Sequence, residues 1–209
     1  MDPRQLDRDV AGAAAAHQRL LGRLDSLGEF DAREPSLLPG WTLGHVLTHL
    51  ARNADSGIRM LDGLEQYEGG AAGRHADIEA GAGRPAGDLV ADVWASIWRL
   101  EQRWAQERAW DGPPASATAG EVPRVGLPFR RWRETEVHHA DLGAGYTFAD
   151  MPSEYVRLDL RLMEMLWKAR QPMGLTPLPD AVLTRPPHER LAWLMGRVVI
   201  DGVLPAGVF

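Results

Sequence analysis

Four stretches of this chain carry apolar residues at helical spacing, and proline- or glycine-rich breaks separate them. In the first, from about Leu6 to Leu27, residues Leu6, Val10, Ala13, Leu20, Leu21, Leu24 and Leu27 approximate an i, i+3/i+4, i+7 stripe. The second runs from about Leu43 to Leu64, with Leu43, Leu47, Leu50, Ala54, Ile58 and Leu61 on one face and Thr42 placed as its N-cap. The third, from about Asp88 to Trp110, carries Leu89, Val93, Trp94, Ile97, Trp98, Leu100 and Trp104. The fourth spans about Phe129 to Leu142. Between the second and third, Gly69–Gly87 reads as a loop because of its glycines and Pro85. Pro113, Pro114, Pro123 and Pro128 forbid one continuous helix over Asp111–Pro128. Four amphipathic segments with two long connections predict a mainly α protein built on a four-helix bundle.

Beyond Gly143 the pattern changes. Ser153–Ala169 reads as a helix and Ala181–Thr184 as a short strand. Pro187–Met195 reads as a short helix, and the apolar, β-branched run Val198–Val203 as a strand. The expected division is residues 1–150 for the bundle and 151–209 for a small C-terminal α+β domain. The latter is too small to be reliably stable alone.

Composition removes several chemistries. The 209 residues include no cysteine, which excludes a disulfide scaffold, a protein thiolate and any Cys-ligated metal. Thiol chemistry here would need a thiol from a bound small molecule. The formal charge of −6 speaks against nucleic acid as a partner. No apolar run approaches the roughly 18–20 residues of a membrane helix, and the polar start lacks a signal-like apolar region. The expectation is a soluble cytoplasmic protein with no membrane partner. No Gly-x-Ser-x-Gly string or phosphate-binding loop occurs, and Gly143-Ala144-Gly145 is too short for a dinucleotide fingerprint.

The histidines are more informative. Two lie on the second predicted helix, His45 and His49, and two on the fourth, His138 and His139. Glu134 and His138 are i and i+4 and share a helix face, with Asp141 three residues further on. Catalytic zinc takes three protein ligands and keeps one position open. Glu134 and His138 supply two candidate ligands, and one histidine of the second helix a third. A surface Glu–His hydrogen bond is the plain alternative for the pair. A di-iron carboxylate bundle would need a second Glu-x-x-His motif, which is absent. His139 and Glu136 project elsewhere, and Arg52 shares only a helical spacing with His49.

The string Gly40-Trp41-Thr42-Leu43-Gly44-His45-Val46-Leu47-Thr48-His49-Leu50-Ala51 resembles the second-helix signature of the DinB-like superfamily. It resembles the mycothiol-dependent maleylpyruvate isomerases more closely. Arg133-Glu134, followed by His138-His139-Ala140-Asp141-Leu142-Gly143, resembles the same family's second signature. Glu189–Arg197 is similar to its C-terminal domain. The resemblance implies a DinB-like four-helix bundle with a divalent metal, usually zinc, held by His49, Glu134 and His138. His49 is preferred to His45 because it sits eight residues after Trp41 in the His-Leu-Ala context. The resemblance also implies Asp141 as a residue orienting a ligand, and Arg197 as an active-site arginine that binds a substrate carboxylate. It implies mycothiol as the thiol and a small, anionic electrophile as the substrate. The implied activity is cis–trans isomerisation of an unsaturated keto acid of the maleylpyruvate type. Mycothiol S-transfer and non-catalytic metal or ligand binding are the alternatives.

Overall fold

A computed structural model describes residues 3–171 and 176–207 of the chain. The chain divides into two compact units, Met1–Gly145 and Tyr146–Phe209. Among the described residues of the first unit, five α-helices succeed one another: α1 (Pro3–Leu27), α2 (Leu43–Leu61), α3 (Gly70–Ala82), α4 (Ala86–Gln106) and α5 (Leu127–Asp141). Helix α1 packs on α5 and α4, and α2 on α4 and α5, which makes these four the bundle. Leu20, Leu21 and Leu24 of α1 meet Val46, Leu47 and Leu50 of α2 and Leu89, Val93 and Ile97 of α4 in one core. The fold is the expected DinB-like four-helix bundle. No described helix is long and apolar enough to cross a membrane.

Two features of this unit differ from the sequence reading. The Gly69–Gly87 stretch is not a loop, because it contains α3. Its glycines lower helix propensity, but two of the glycines at the α2–α3 contact are there for proximity. A Cβ on Gly81 would lie 2.4 Å from Thr48 Cγ2, and one on Gly44 would lie 2.0 Å from the Ala82 carbonyl oxygen. Glycine lets α3 come into contact with α2 while burying Ile78 and Ala82. The second feature is a hairpin, β1 (Ala115–Ala117) with β2 (Gly120–Val122), antiparallel with Ala115 opposite Val122. Alanine, serine and glycine carry almost no strand signal, so three-residue strands of this composition are invisible to periodicity.

The described residues of the second unit form α6 (Ser153–Ala169), α7 (Asp180–Leu183) and α8 (Pro187–Leu194). Trp167 of α6 and Trp193 of α8 pack with ring centroids 6.4 Å apart. The α+β expectation for this segment is corrected in its two strands. Ala181–Thr184 lies in and just after the single helical turn α7, where the Val182 and Leu183 amides donate to the Pro179 carbonyl at 2.8 and 3.0 Å. Four apolar residues cannot by themselves distinguish a strand from such a turn. Val198–Val203 forms no strand: Ile200 is buried, Val199 is exposed, and the Val203 amide closes a turn on the Ile200 carbonyl at 3.1 Å. A strand needs an edge to pair with, and no other strand lies among the described residues of this unit.

Helix α5 buries more polar groups than any of its partners, among them Arg131, Thr135, Glu136, His139 and Asp141. Arg131 Nε donates to His17 Nε2 at 3.0 Å, so His17 carries its proton on Nδ1, which donates to Glu101 Oε1 at 2.7 Å. The second Arg131 branch donates through Nη1 to the Leu50 carbonyl at 2.9 Å and to Asn53 Oδ1 at 2.8 Å. These bonds tie α1, α2, α4 and α5 together. On the other side of α5, Glu136 accepts from Trp132 Nε1 at 2.9 Å and pairs with Arg19.

Burial pushes His17 down to about 4, against the pull of the Glu101 hydrogen bond. An unfolded histidine titrates near 6.5, so the unfolded chain binds the extra proton first as pH falls. The contribution of neutral His17 to stability is complete above pH about 6.5 and is lost between there and about 4. Urea unfolding of metal-free protein across this window should show a loss on the order of 3 kcal/mol from this residue. His17→Gln keeps one donor and one acceptor but cannot titrate, so its stability should fall less steeply with pH. Equal slopes for the two proteins would refute the assignment.

Candidate metal centre

The site begins at the N-terminus of α2. Thr42 caps the helix, its hydroxyl accepting from the His45 amide at 3.4 Å, while the Thr42 amide in return donates to His45 Nδ1 at 3.2 Å. The other ring nitrogen of His45 faces Glu79 at 3.5 Å. His45 is therefore a capping residue, and the choice left open between the two histidines of this helix resolves to His49. One turn along, His49 points into the bundle, with Trp41 edge-on at 5.7 Å between ring centroids.

Helix α5 brings Glu134 and His138 opposite. Glu134 Oε2 lies 2.9 Å from His49 Nε2 and 3.5 Å from His138 Nε2. The two imidazoles stand nearly perpendicular, 80° apart, with centroids separated by 4.5 Å. One ligand atom from each of the three residues lies within 4.8 Å of the others. Donors placed about 2 Å from a tetrahedral ion are about 3.3 Å from one another. The two measured edges, 2.9 and 3.5 Å, bracket that value. The trio fits a divalent metal, and two nitrogens and one oxygen without sulfur are donors that zinc and other divalent transition ions accept.

Two neighbours orient these donors. Asp141, buried at the C-terminal end of α5, approaches His138 Nδ1 at 2.9 Å. A carboxylate at a helix C-terminus opposes the helix dipole, so its placement needs a compensating partner, and the imidazole supplies one. The loop before α2 is fastened to the same end of α5, where the Leu37 amide donates to the Asp141 carbonyl at 2.8 Å. The second neighbour is Arg74 of α3, whose Nη2 lies 3.2 Å from His49 Nδ1. A guanidinium only donates, so His49 accepts on Nδ1 and presents Nε2–H to Glu134.

The electrostatics follow from this geometry. Burial, seconded by the charge of His138, drives His49 down to about 4 and keeps it neutral. Burial also disfavours the charged forms of Glu134 and His138, but partners outweigh it. Hydrogen bonds from His138 and His49 hold the Glu134 carboxyl well below the usual carboxylate range. Hydrogen bonds to Asp141 and Glu134 raise His138 above the ordinary histidine value. One neutral imidazole, one carboxylate and one imidazolium share the site, and metal uptake would have to displace the Nε2 protons of both His138 and His49, the latter to the Nδ1 that Arg74 now faces.

Other expected residues lie elsewhere. Arg52 pairs with Asp92 at 2.7 Å and Asp55 at 3.2 Å, on the side of α2 that faces α4. Glu136 and His139 are buried and do not belong to the trio. Arg197 belongs to the second unit, where its Nη1 donates to the Met195 carbonyl at 2.7 Å. Sequence reasoning missed Arg74, because its segment read as a loop. It also passed over Arg131, because nothing in a helical pattern marks an arginine as buried.

Residues 13–143 match the family model of the mycothiol maleylpyruvate isomerase N-terminal domain. The chain belongs to that family. Two solved structures share the fold. The crystal structure of the mycothiol-dependent maleylpyruvate isomerase is 22% identical with a TM-score of 0.80, covering 92% of this chain and 90% of that one. A histidine-to-alanine mutant of the mycothiol-dependent maleylpyruvate isomerase is 24% identical with a TM-score of 0.74, covering 79% of this chain and 72% of that one. No curated protein sequence matches.

The ionisation pattern has a direct readout. In protein stripped of metal by a chelator, NMR titration should place the His49 ring near pH 4 and the His138 ring above 6.5. Asp141→Asn should lower the His138 value while leaving His17 unchanged. Two ordinary titrations near 6.5 for His49 and His138 would contradict the geometry.

Proposed function

We propose that this chain is a metal- and mycothiol-dependent isomerase that converts a small cis-unsaturated keto acid of the maleylpyruvate type to its trans, fumaryl form. The observation that carries the reading is the His49, Glu134 and His138 trio, converging from α2 and α5 in a member of this family that has no cysteine. Bound together, a divalent metal and the thiol would supply a sulfur nucleophile, since a thiol at an open metal position loses its proton and can add reversibly to an alkene.

The chain's own residues perform the remaining work. His49 and His138 present their Nε2 atoms, and Glu134 its Oε2, toward one another. Asp141 holds the His138 ring through Nδ1, which leaves Nε2 as the ligand atom and raises its basicity. Trp41, packed against both His45 and His49, shields the α2 ligand from water. Arg197 is the proposed partner for a substrate carboxylate, a role supported by the family resemblance alone. Arginine suits that role because its planar fork matches a carboxylate.

Metal analysis of purified protein should give close to one equivalent, and His49→Ala and His138→Ala should lose most of it while still folding. Full metal retention in both variants would remove the site. Turnover of a cis-unsaturated keto acid should require added thiol without consuming it. Robust turnover without thiol would overturn the relay, and stoichiometric thiol loss would assign the chain to S-transfer instead.

Arg197→Ala should lower kcat/KM for a dicarboxylate about ten- to a hundredfold with metal content unchanged, the loss expected for one charge-assisted pair. Lysine should rescue this loss only in part. An unchanged kcat/KM would return Arg197 to a purely local role.

A further inference from the structure

A cavity opens beside the donor trio, within the first unit. Glu134 forms one wall, and the rest is lined by Asn53, Gln66, Trp104, Arg130 and Arg131 together with apolar side chains of α2, α4 and α5. Its free volume is about 40 Å³. That is room for two or three waters or one carboxylate head, and too little for a whole keto acid.

Arg131 makes this cavity unusual. Its side chain is buried, with 4% of the residue exposed, and its direct hydrogen-bond partners are all uncharged: the Leu50 carbonyl, Asn53 Oδ1 and neutral His17. Its Nη2 is buried and has no hydrogen-bond partner. A guanidinium is almost never buried without a counter-ion, and an unpaired buried donor is costly. Glu101 lies beyond the His17 ring and touches it rather than the guanidinium. Glu134 is the main opposing charge felt by both Arg131 and Arg130, but its hydrogen bonds go to His49 and His138. Arg130, on the adjoining wall, is exposed and makes no hydrogen bond or ion pair among the described residues. Burial lowers Arg131 only to about 10, so it remains a cation at neutral pH.

We infer that this cavity is a carboxylate subsite in which Arg130, exposed and unpaired, holds one end of a dicarboxylate substrate beside the donor trio, with the buried cation of Arg131, whose Nη2 is closed to solvent, supplying a second positive charge in the wall. The inference rests on the isomerase reading for its substrate class and deepens it. Asn53, held by Arg131 Nη1, fixes the guanidinium in place. Met60, Leu100 and Leu127 line the same cavity and make its wall partly apolar, which strengthens a charge-assisted pair. A carboxylate seated there brings the adjoining carbons toward Glu134, which belongs to both the cavity and the trio. The subsite selects substrates with a carboxylate near the reacting double bond over neutral alkenes.

Calorimetric titration of the full chain with maleate, a simple dicarboxylate, tests this in both metal-free and metal-loaded protein. Arg130→Gln changes an exposed residue without a structural partner and keeps the fold. Arg131→Lys keeps the charge but loses the fork, and thermal unfolding checks its integrity. Arg130→Gln should weaken maleate binding about tenfold or more in both metal states, and folded Arg131→Lys, which keeps the charge in the wall, should stay within about twofold of the parent. If Arg131→Lys unfolds, Arg130→Gln decides alone. Maleate affinity within twofold of the parent in Arg130→Gln, or no binding by the parent at millimolar maleate, overturns the subsite. Arginine-dependent maleate binding without thiol-dependent turnover upholds the subsite and removes the proposed reaction. Thiol-dependent isomerisation with normal maleate binding in Arg130→Gln removes the subsite alone.

Discussion

Helix α5 places an arginine, two carboxylates and a histidine inside a bundle whose other three helices supply mostly hydrocarbon. Burying charge costs several kcal/mol per group unless each is paired, so the rest of the unit is arranged around that demand. Arg131 is met from three directions, by His17 of α1 and by Leu50 and Asn53 of α2. Glu136 is met by Trp132 and Arg19, and Asp141 by His138. The Arg131 bonds and the Arg19–Glu136 pair run between helices, so they set the rotation of α5 about its axis. That rotation is what turns Glu134 and His138 toward α2. Packing of apolar side chains alone would tolerate other rotations.

The position of His49 depends on a second constraint, the cap that starts α2. The reciprocal bonds between Thr42 and His45 fix where the helix begins, and so which turn carries His49 inward. The loop before it is anchored through Leu37 to the end of α5. Glycine at positions 44 and 81 then admits α3 to contact with α2, and that closeness brings Arg74 to His49. That cation against Nδ1 keeps the His49 proton on Nε2, facing Glu134, so a metal held at Nε2 would have to move the proton to Nδ1 and the arginine off the ring. The same glycines that weaken α3 as a helix are what allow it to reach the site, so local propensity is given up for proximity.

Much of this was legible along the chain. The four long helices follow from apolar spacing, since a stripe every three to four residues can be buried only by a helix packed on others. Glu134 and His138 were recognisable as a pair because four residues make one turn. His49 was separable from His45 only by resemblance, since the two share one spacing and differ in tertiary partners. The glycine-rich α3, the alanine-serine hairpin and the helical turn at Asp180–Leu183 were misread or missed, each for want of a local signal. In all three the deciding contact is distant in sequence or too short to show a period.

The sequence alone determined the helical class, the absence of any protein thiol and the presence of one Glu–His pair on one face. Those properties are set by residue type and by spacing within a turn, which the chain carries locally. Tertiary structure decided that His49 joins the pair and His45 caps its helix, that Asp141 backs His138, and that Arg131 is buried with one donor unspent. Each of these depends on the approach of helices far apart in the chain, at distances where a shift of an ångström exchanges one hydrogen bond for another.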